Sequence, residues 1–345
     1  MKTICGLIRV ILIMAALLPL IALSDAAGAE KTKQKIVVSH SPGFVIGVLD
    51  FLTAMKPHLE EFGIEFELIP IRGGAGNATT VASGRAAAGS TSISPVVNVA
   101  LQGAPIKIVN VYGFEDADHR TGTVIAVRKE IKDWKGLKGK ILGTHRLGSL
   151  SEITARILLK ANGLEPGKDV DIIELPFGGM APALKRNQVQ ALAFFPPYVA
   201  KVYNEGYGHE LGKTADVIPK LAREAWVFNT SFMEKRPQLA LRLMKAILLA
   251  TYDLSRMSNE QYIRLVTDIW KGDPSILPDL AKYKMLHDLF VYDPSIVKEA
   301  VATHIKIMKD FKIVKSVPDG FVDSMVDSSL MRRAYNQLRS EKRLP

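Results

Sequence analysis

The chain has 345 residues, of which 48% are apolar, 23% charged and 7% aromatic, which excludes a disordered or fibrous protein and leaves material for two hydrophobic cores. Its formal net charge of +10 favours anionic partners without choosing among nucleic acid, lipid and small anions. The single cysteine, Cys5, excludes an intramolecular disulfide framework, a cysteine-rich zinc site and a Cys-X-X-Cys redox pair, so packing must hold the fold together.

Residues 1–29 read as a secretory signal peptide. Lys2 and Arg9 precede an apolar run from Val10 to Leu23, and the small residues Ala27 and Ala29 follow. The run is about 14 residues long, which suits a signal core and falls short of the roughly 20 that span a bilayer. An uncleaved anchor is the competing reading, and Ala22 with Ser24 offers a second cleavage point. Cleavage near Glu30 would leave a mature chain without cysteine, working in the periplasm. Further on, the most apolar stretch, 239–254, is broken by Arg242, Lys245 and Asp253 and is too charged to span.

The mature chain begins in β-α-β order: a strand at 35–39, a helix at 46–62 closed by Gly63, and a strand at 65–71. The alternation continues with strands at 86–93, 106–112, 123–127, 140–144, 171–175, 190–195 and 225–229. Such order predicts α/β layers with largely parallel sheets. Beyond Asn229 only helices are predicted, at 237–255, 259–270, 276–290 and 294–311. The whole is too long for one core, so two α/β lobes with a helical C-terminal portion are expected. An internal echo points the same way: 82–89 running into 90–95 resembles 184–191 running into 192–197. In each, a helix ends at a residue that tolerates left-handed backbone, Gly84 or Asn187, and a strand follows. Equivalent corners of two similar lobes would produce this echo, and so would chance between Ala-rich segments.

Several loops carry candidate contacts. Arg72-Gly-Gly-Ala-Gly-Asn77 lies between a strand and a helix expected to start near Ala78. Its N–H groups either make a plain tight turn or face a small solute. As a dinucleotide fingerprint it fails, because Thr79 stands where a third glycine is required. Gly148-Ser-Leu-Ser-Glu152 opens a helix. Ser149 as its N-cap either frees first-turn donors for an anion or, with Glu152, closes a capping box on them. Phe177-Gly-Gly-Met180 and Phe195-Pro-Pro-Tyr198 follow strand ends, where ligands of open α/β sheets sit; buried core aromatics are the alternative. The histidines show no His-X-X-X-His spacing, and neither a Gly-X-Ser-X-Gly elbow nor a phosphate-loop motif occurs. His119-Arg120 reads as a solvated loop pair or a cleft cation. Basic residues are spread along the chain without interleaved aromatics, which argues against nucleic acid.

The order of Gly136-Leu-Lys-Gly-Lys140, Gly148-Ser-Leu-Ser151, Leu158-Leu-Lys-Ala-Asn-Gly-Leu164, Ala183-Leu-Lys-Arg-Asn-Gln-Val-Gln-Ala191 and Pro196-Pro-Tyr198 resembles the ABC-transporter solute-binding proteins of the nitrate, sulfonate and taurine type. The closing segments Phe311-Lys-Ile-Val-Lys315 and Val317-Pro-Asp-Gly-Phe-Val-Asp323 fit the same resemblance. It implies a type II periplasmic-binding-protein fold, divided as lobe one over 30–117 and 225–345 and lobe two over 118–224. The crossings would lie near Gly113 to Gly122 and near Arg223 to Asn229. It also implies ligand contacts from Ser41, Phe44, Gly74, Asn77, Ser92 and Ser94 in lobe one, and from Ser149, Ser151, Gly178, Met180 and Tyr198 in lobe two. No catalytic residue, metal or cofactor is expected. The partners would be a small organic anion or zwitterion and an ABC permease with its ATPase, the receptor itself being a monomer. An enzyme on the same fold acting on a pyrimidine or menaquinone precursor, or a TRAP-type receptor, are the rival functions. Ala87, Gln190 and Asn187 depart from the family's usual Gly-X-X-Asp turns, and Glu152 sits poorly beside a plain anion.

Overall fold

Short runs rich in Val, Ile and Ala, mostly buried, become the inner strands of two five-stranded sheets covered by helices. A computed structural model describes residues 33–40, 45–71, 73–115, 122–194, 198–269 and 294–345. The expected signal peptide, Ser41, Phe44, Arg72, His119, Arg120, Phe195 and the helix at 276–290 lie outside the described residues.

In chain order the first sheet receives β1 (Gln34–His40), β2 (Ile64–Pro70), β3 (Ala88–Ser92) and β4 (Ile106–Phe114). These alternate with α1 (Val45–Glu61), α2 (Gly74–Ala82) and α3 (Ile93–Leu101). The second sheet holds β5 (Val124–Arg128), β6 (Lys140–Thr144), β7 (Val170–Glu174), β8 (Ala191–Phe194) and β9 (Gly208–Lys213). Its helices are α4 (Leu150–Ala161), α5 (Met180–Lys185) and α6 (Ala200–Asn204). The chain then returns as β10 (Ala222–Asn229) to the first sheet and ends in helices. These are α7 (Thr230–Lys235), α8 (Pro237–Arg256), α9 (Asn259–Ile269), α10 (Pro294–Asp310), α11 (Phe321–Met325) and α12 (Ser329–Ser340).

The strand orders are β2-β1-β3-β10-β4 and β7-β6-β8-β5-β9, so the two sheets share one topology. The internal echo falls on equivalent places: β3 and β8 hold the same rank, and both Gly84 and Asn187 before them are left-handed, at φ 78° and 60°. Each sheet carries one antiparallel strand, β10 or β5, and each follows a crossing. The geometry requires this. The chain leaves a lobe at the carboxyl ends of its strands and enters the other at the matching edge, so the arriving strand runs against its neighbours.

Two expectations are corrected. Residues 223–229 do not cross between lobes: they lie inside β10, paired to β3 and β4, and the second crossing is the segment 214–221. Strand β9 was not anticipated, because Gly-His-Glu-Leu-Gly-Lys lacks the β-branched run that signals a buried strand; as an edge strand paired only to β5 it needs none. The C-terminal helices form no separate body. Leu239, Leu243, Ile247, Met331 and Leu338 join the core of the first sheet. Helix α10 also reaches across: its Ile307 packs with Leu150, Ile153 and Ile157 of α4 and with Leu221 of the crossing.

The two crossings are tied to each other. Glu115 N–H donates to Leu221 O at 2.8 Å, and Lys220 N–H donates to Glu115 O at 2.8 Å. The buried Glu115 carboxylate accepts from Thr123 N–H at 3.0 and 3.2 Å, and a Cβ on Gly122 (φ 116°) would stand 2.0 Å from it. Gly122→Ala is therefore expected to lower stability by about 2–4 kcal/mol through combined strain and collision. Urea titration checks this, and an unchanged midpoint would contradict the account.

Candidate functional site

The carboxyl ends of β1 and β3 and the start of β10 meet the loops of the second sheet along one seam. On the first-lobe side, helix α2 begins at Gly74, four residues earlier than expected, so the glycine loop is its first turn and Asn77 N–H already donates to Gly73 O at 3.1 Å. Gly73 takes φ 74°, a conformation that favours glycine. Asn77 is fully buried: Ser39 Oγ donates to its Oδ1, and its Nδ2 donates to Ser90 O at 2.7 Å. Asn77 thus splices β1, α2 and β3 together, with both ends of its amide occupied. Thr91 Oγ donates to Gly74 O at 3.2 Å and pins the loop to β3.

The two serines at the end of β3 are also engaged. Ser92 Oγ donates to Glu224 Oε1 at 3.2 Å. Ser94 Oγ lies 2.9 Å from His304 Nδ1, and His304 Nε2 lies 2.6 Å from Ala222 O. A carbonyl only accepts, so Nε2 carries the proton and Nδ1 accepts from Ser94. Burial holds His304 down to about 4, which keeps this neutral tautomer in place. Ser94 therefore fastens α10 to α3 and β10.

On the second-lobe side, Ser149 caps α4, accepting from Glu152 N–H at 3.4 Å and donating to Arg146 O at 2.6 Å. The expected capping box is displaced by one residue: Glu152 accepts from Gly148 N–H at 3.3 Å and pairs with Arg156 one turn on. That pairing neutralises the acid otherwise expected to repel an anion. Ser151, nearly fully buried, sits 2.8 Å from His145 Nδ1 and 2.9 Å from Thr144 Oγ. Burial, reinforced by Arg146, lowers His145 to about 4, so it is neutral near pH 7. Gly178 is exposed in the turn after β7, with open space where a Cβ would go. Met180 is corrected: the structure places its side chain wholly in the second-lobe core with Ala183, Leu184 and Phe194, because it begins α5 on the face that covers the sheet. Tyr198 packs against the cores of both lobes, with its ring 4.6 Å from Phe177, edge to face, and 5.4 Å from Phe194. Burial raises its phenol, which stays protonated.

The charged groups at the seam were not anticipated from sequence. Arg146 crosses from the second lobe to the glycine loop, where a Cβ built on Gly73 would stand 2.7 Å from its Nη1. Where β10 begins, Arg223 Nε lies 3.8 Å from Glu115 Oε1, both residues being buried. Burial lifts the carboxyls of Glu115 and Glu224 to about 7 against the lowering field of Arg223. An adjacent Arg-Glu pair heading an otherwise apolar strand was the signal available in the sequence. Among the described residues no group of three or more His, Cys, Asp or Glu could hold a metal, and no helix is long and apolar enough to cross a membrane.

These titrations give a test. A carboxyl raised from 4.5 to about 7 contributes stability below 4.5 that is lost as pH rises through 7. A histidine lowered from 6.5 to about 4 contributes stability that is lost as pH falls through that range. Above pH 6.5 the opposing contribution of the two histidines fades while the carboxyls still titrate, so stability is expected to fall between pH 6.5 and about 8, and Glu115→Gln to flatten most of that fall. Equal slopes for both proteins in urea titrations would refute the assignment.

Comparison with known proteins places this geometry. The model of the NMT1-like family matches residues 61–266. Two curated relatives are nitrate/nitrite binding proteins NrtA. The one from Synechococcus elongatus is 24% identical over 162 residues, 45% of this chain and 31% of that protein. The one from Synechocystis is 24% identical over 114 residues, 33% of this chain and 26% of that protein. The chain thus spans about a third or less of the curated relatives it matches. Among solved structures, the Synechocystis nitrate-binding protein NrtA gives a TM-score of 0.70 at 17% identity, covering 90% of this chain and 91% of that one. The Escherichia coli aliphatic sulphonate binding protein SsuA gives 0.69 at 17% identity, covering 86% and 99%. A ligand-binding component of an ABC-type import system from Staphylococcus aureus gives 0.69 at 20% identity, covering 87% and 99%. With the fold of these binding proteins and a family match over more than half of the chain, residues 61–266, the chain belongs to the NMT1-like family.

Proposed function

We propose that the protein is an exported solute-binding receptor that captures a small organic anion or zwitterion between its lobes and delivers it to an ABC permease and its ATPase. One observation carries this reading: the Arg146 guanidinium of one lobe lies against the N-terminal turn of α2 in the other. A helix N-terminus is the positive end of its dipole and presents unpaired N–H groups, so a cation beside it is repelled. An anion between them removes the repulsion and accepts from both sides at once.

Binding therefore favours the closed arrangement, since only there do the Gly74–Gly76 N–H groups and Arg146 reach the same ligand. Gly74 contributes backbone, Ser149 and Ser151 hold the loop that carries Arg146, and Tyr198 with Phe177 supplies an apolar wall. Asn77 and Ser94 act by positioning. The names of the relatives, which bind nitrate, nitrite or sulphonates, support a small-anion ligand and an ABC partner. The neutral His145 and the absence of cysteine beyond Cys5 support binding without covalent chemistry. The receptor works as a monomer in the periplasm.

Arg146→Ala is expected to weaken binding of small sulfonate or carboxylate probes by about 10- to 100-fold, the value of a charge-assisted hydrogen bond, in calorimetric titration. Because Arg146 is exposed, the melting temperature of the unliganded protein should hardly move. Unchanged affinity would contradict the reading. Conversion of a bound probe on prolonged incubation would favour the enzyme alternative.

A further inference from the structure

The anion site leaves one conspicuous group unused. Glu224 is buried to 9% exposure at the seam end of β10, opposite Ser92 on one side and Tyr112 on the other. Its Oε1 accepts from Ser92, and among the described residues no donor reaches Oε2. Arg223 is the cation whose field reaches it, and that guanidinium also faces the buried Glu115. Two buried carboxyls therefore share one guanidinium. The tyrosine hydroxyl opposite is engaged elsewhere, with Ser90. His145, neutral, and Arg146, turned to Gly73, supply no further charge to this group. Glu224 Oε2 is not among the fully buried side-chain atoms that lack a partner, so it remains reachable from solvent, and a ligand N–H can take the place of water there.

Building on the receptor reading, we propose that Glu224 determines specificity: its Oε2 accepts an N–H from an amino or ammonium group of the ligand, so the cleft selects an amine-bearing anion over a plain one. The two recognition points are both tied to the carboxyl end of β3. Thr91 ties the glycine loop to β3, and Ser92, the next residue, holds Glu224. The acidic end of the ligand meets Gly74 and Arg146, and the amino end meets Glu224. A carboxyl that titrates near neutrality adds a signature: pairing with an ammonium requires the ionised form, so it weakens as pH falls.

The test is calorimetric titration with matched pairs: taurine and ethanesulfonate, β-alanine and propionate, 4-aminobenzoate and benzoate. The wild-type protein should prefer the amino member of at least one pair by about tenfold or more. Glu224→Gln should abolish that preference while leaving the amino-free partner within about threefold. The preference should also shrink between about pH 8 and pH 6 in the wild type and be flat in the variant. If the Gln variant does not fold, Glu224→Asp, which keeps the charge but withdraws it by one methylene, should show the same loss in weaker form. Equal binding within every pair, or equal loss of both members, overturns the role of Glu224 and leaves the anion receptor standing. Failure of every probe overturns both.

Discussion

The buried ionic group where the two crossings meet, Glu115 against Arg223 with Glu224 beside it, is the constraint on which the rest of the molecule turns. Each sheet is completed by a strand that arrives from the other lobe, so the two cannot be built independently. The crossings share backbone hydrogen bonds at Glu115, Lys220 and Leu221 and a carboxylate that closes on Thr123. Burying this charge is unfavourable on its own. In return the junction is specific: a pair of crossings with a defined register rather than a loose linker.

From that junction the polar groups of the seam divide into two kinds. Asn77, Ser39, Ser94 and His304 are buried and have their hydrogen-bonding capacity engaged within the protein, splicing strands, helix α2 and helix α10 into fixed positions. Among the described residues, Arg146 and Glu224 each present a capacity left without a partner: a guanidinium against a positive helix end, and a carboxylate oxygen without a donor. The first kind fixes the elements that border the seam, and the second kind is what the proposed receptor would offer a ligand. The apolar contact of α10 with α4 lies along the same junction and adds a packed contact between the two halves of the molecule.

Much of this was legible in the sequence, for identifiable reasons. Buried strands between helices read as apolar runs, so nearly every strand was placed within a few residues, and the echo between 82–95 and 184–197 marked topologically equivalent strands. Strand direction has no such signature, so the reversed β5 and β10 were hidden, and the charged head of β10 was mistaken for a crossing. At the site, glycine and serine motifs drew attention to Gly74, Asn77, Ser149 and Ser151. Composition could not tell a ligand contact from an internal splice, as Asn77, Ser94 and Met180 show. Arg146 was missed because an isolated charge in a loop looks like any solvated charge until the other lobe is in place, and Glu224 because the Arg223-Glu224 pair heading an apolar strand was read as part of a crossing.

The central claim is that a ligand draws the lobes together. Cys5 is the chain's sole cysteine, so a Cys5→Ser background accepts spin labels at two chosen sites, such as the exposed Lys56 of α1 and Lys168 of the second lobe. Pulsed dipolar measurement of their separation, with and without a saturating aminosulfonate, is the direct test. The account predicts a broad distribution that narrows and shifts to shorter distance on binding. Superimposable distributions with a ligand demonstrably bound would contradict it.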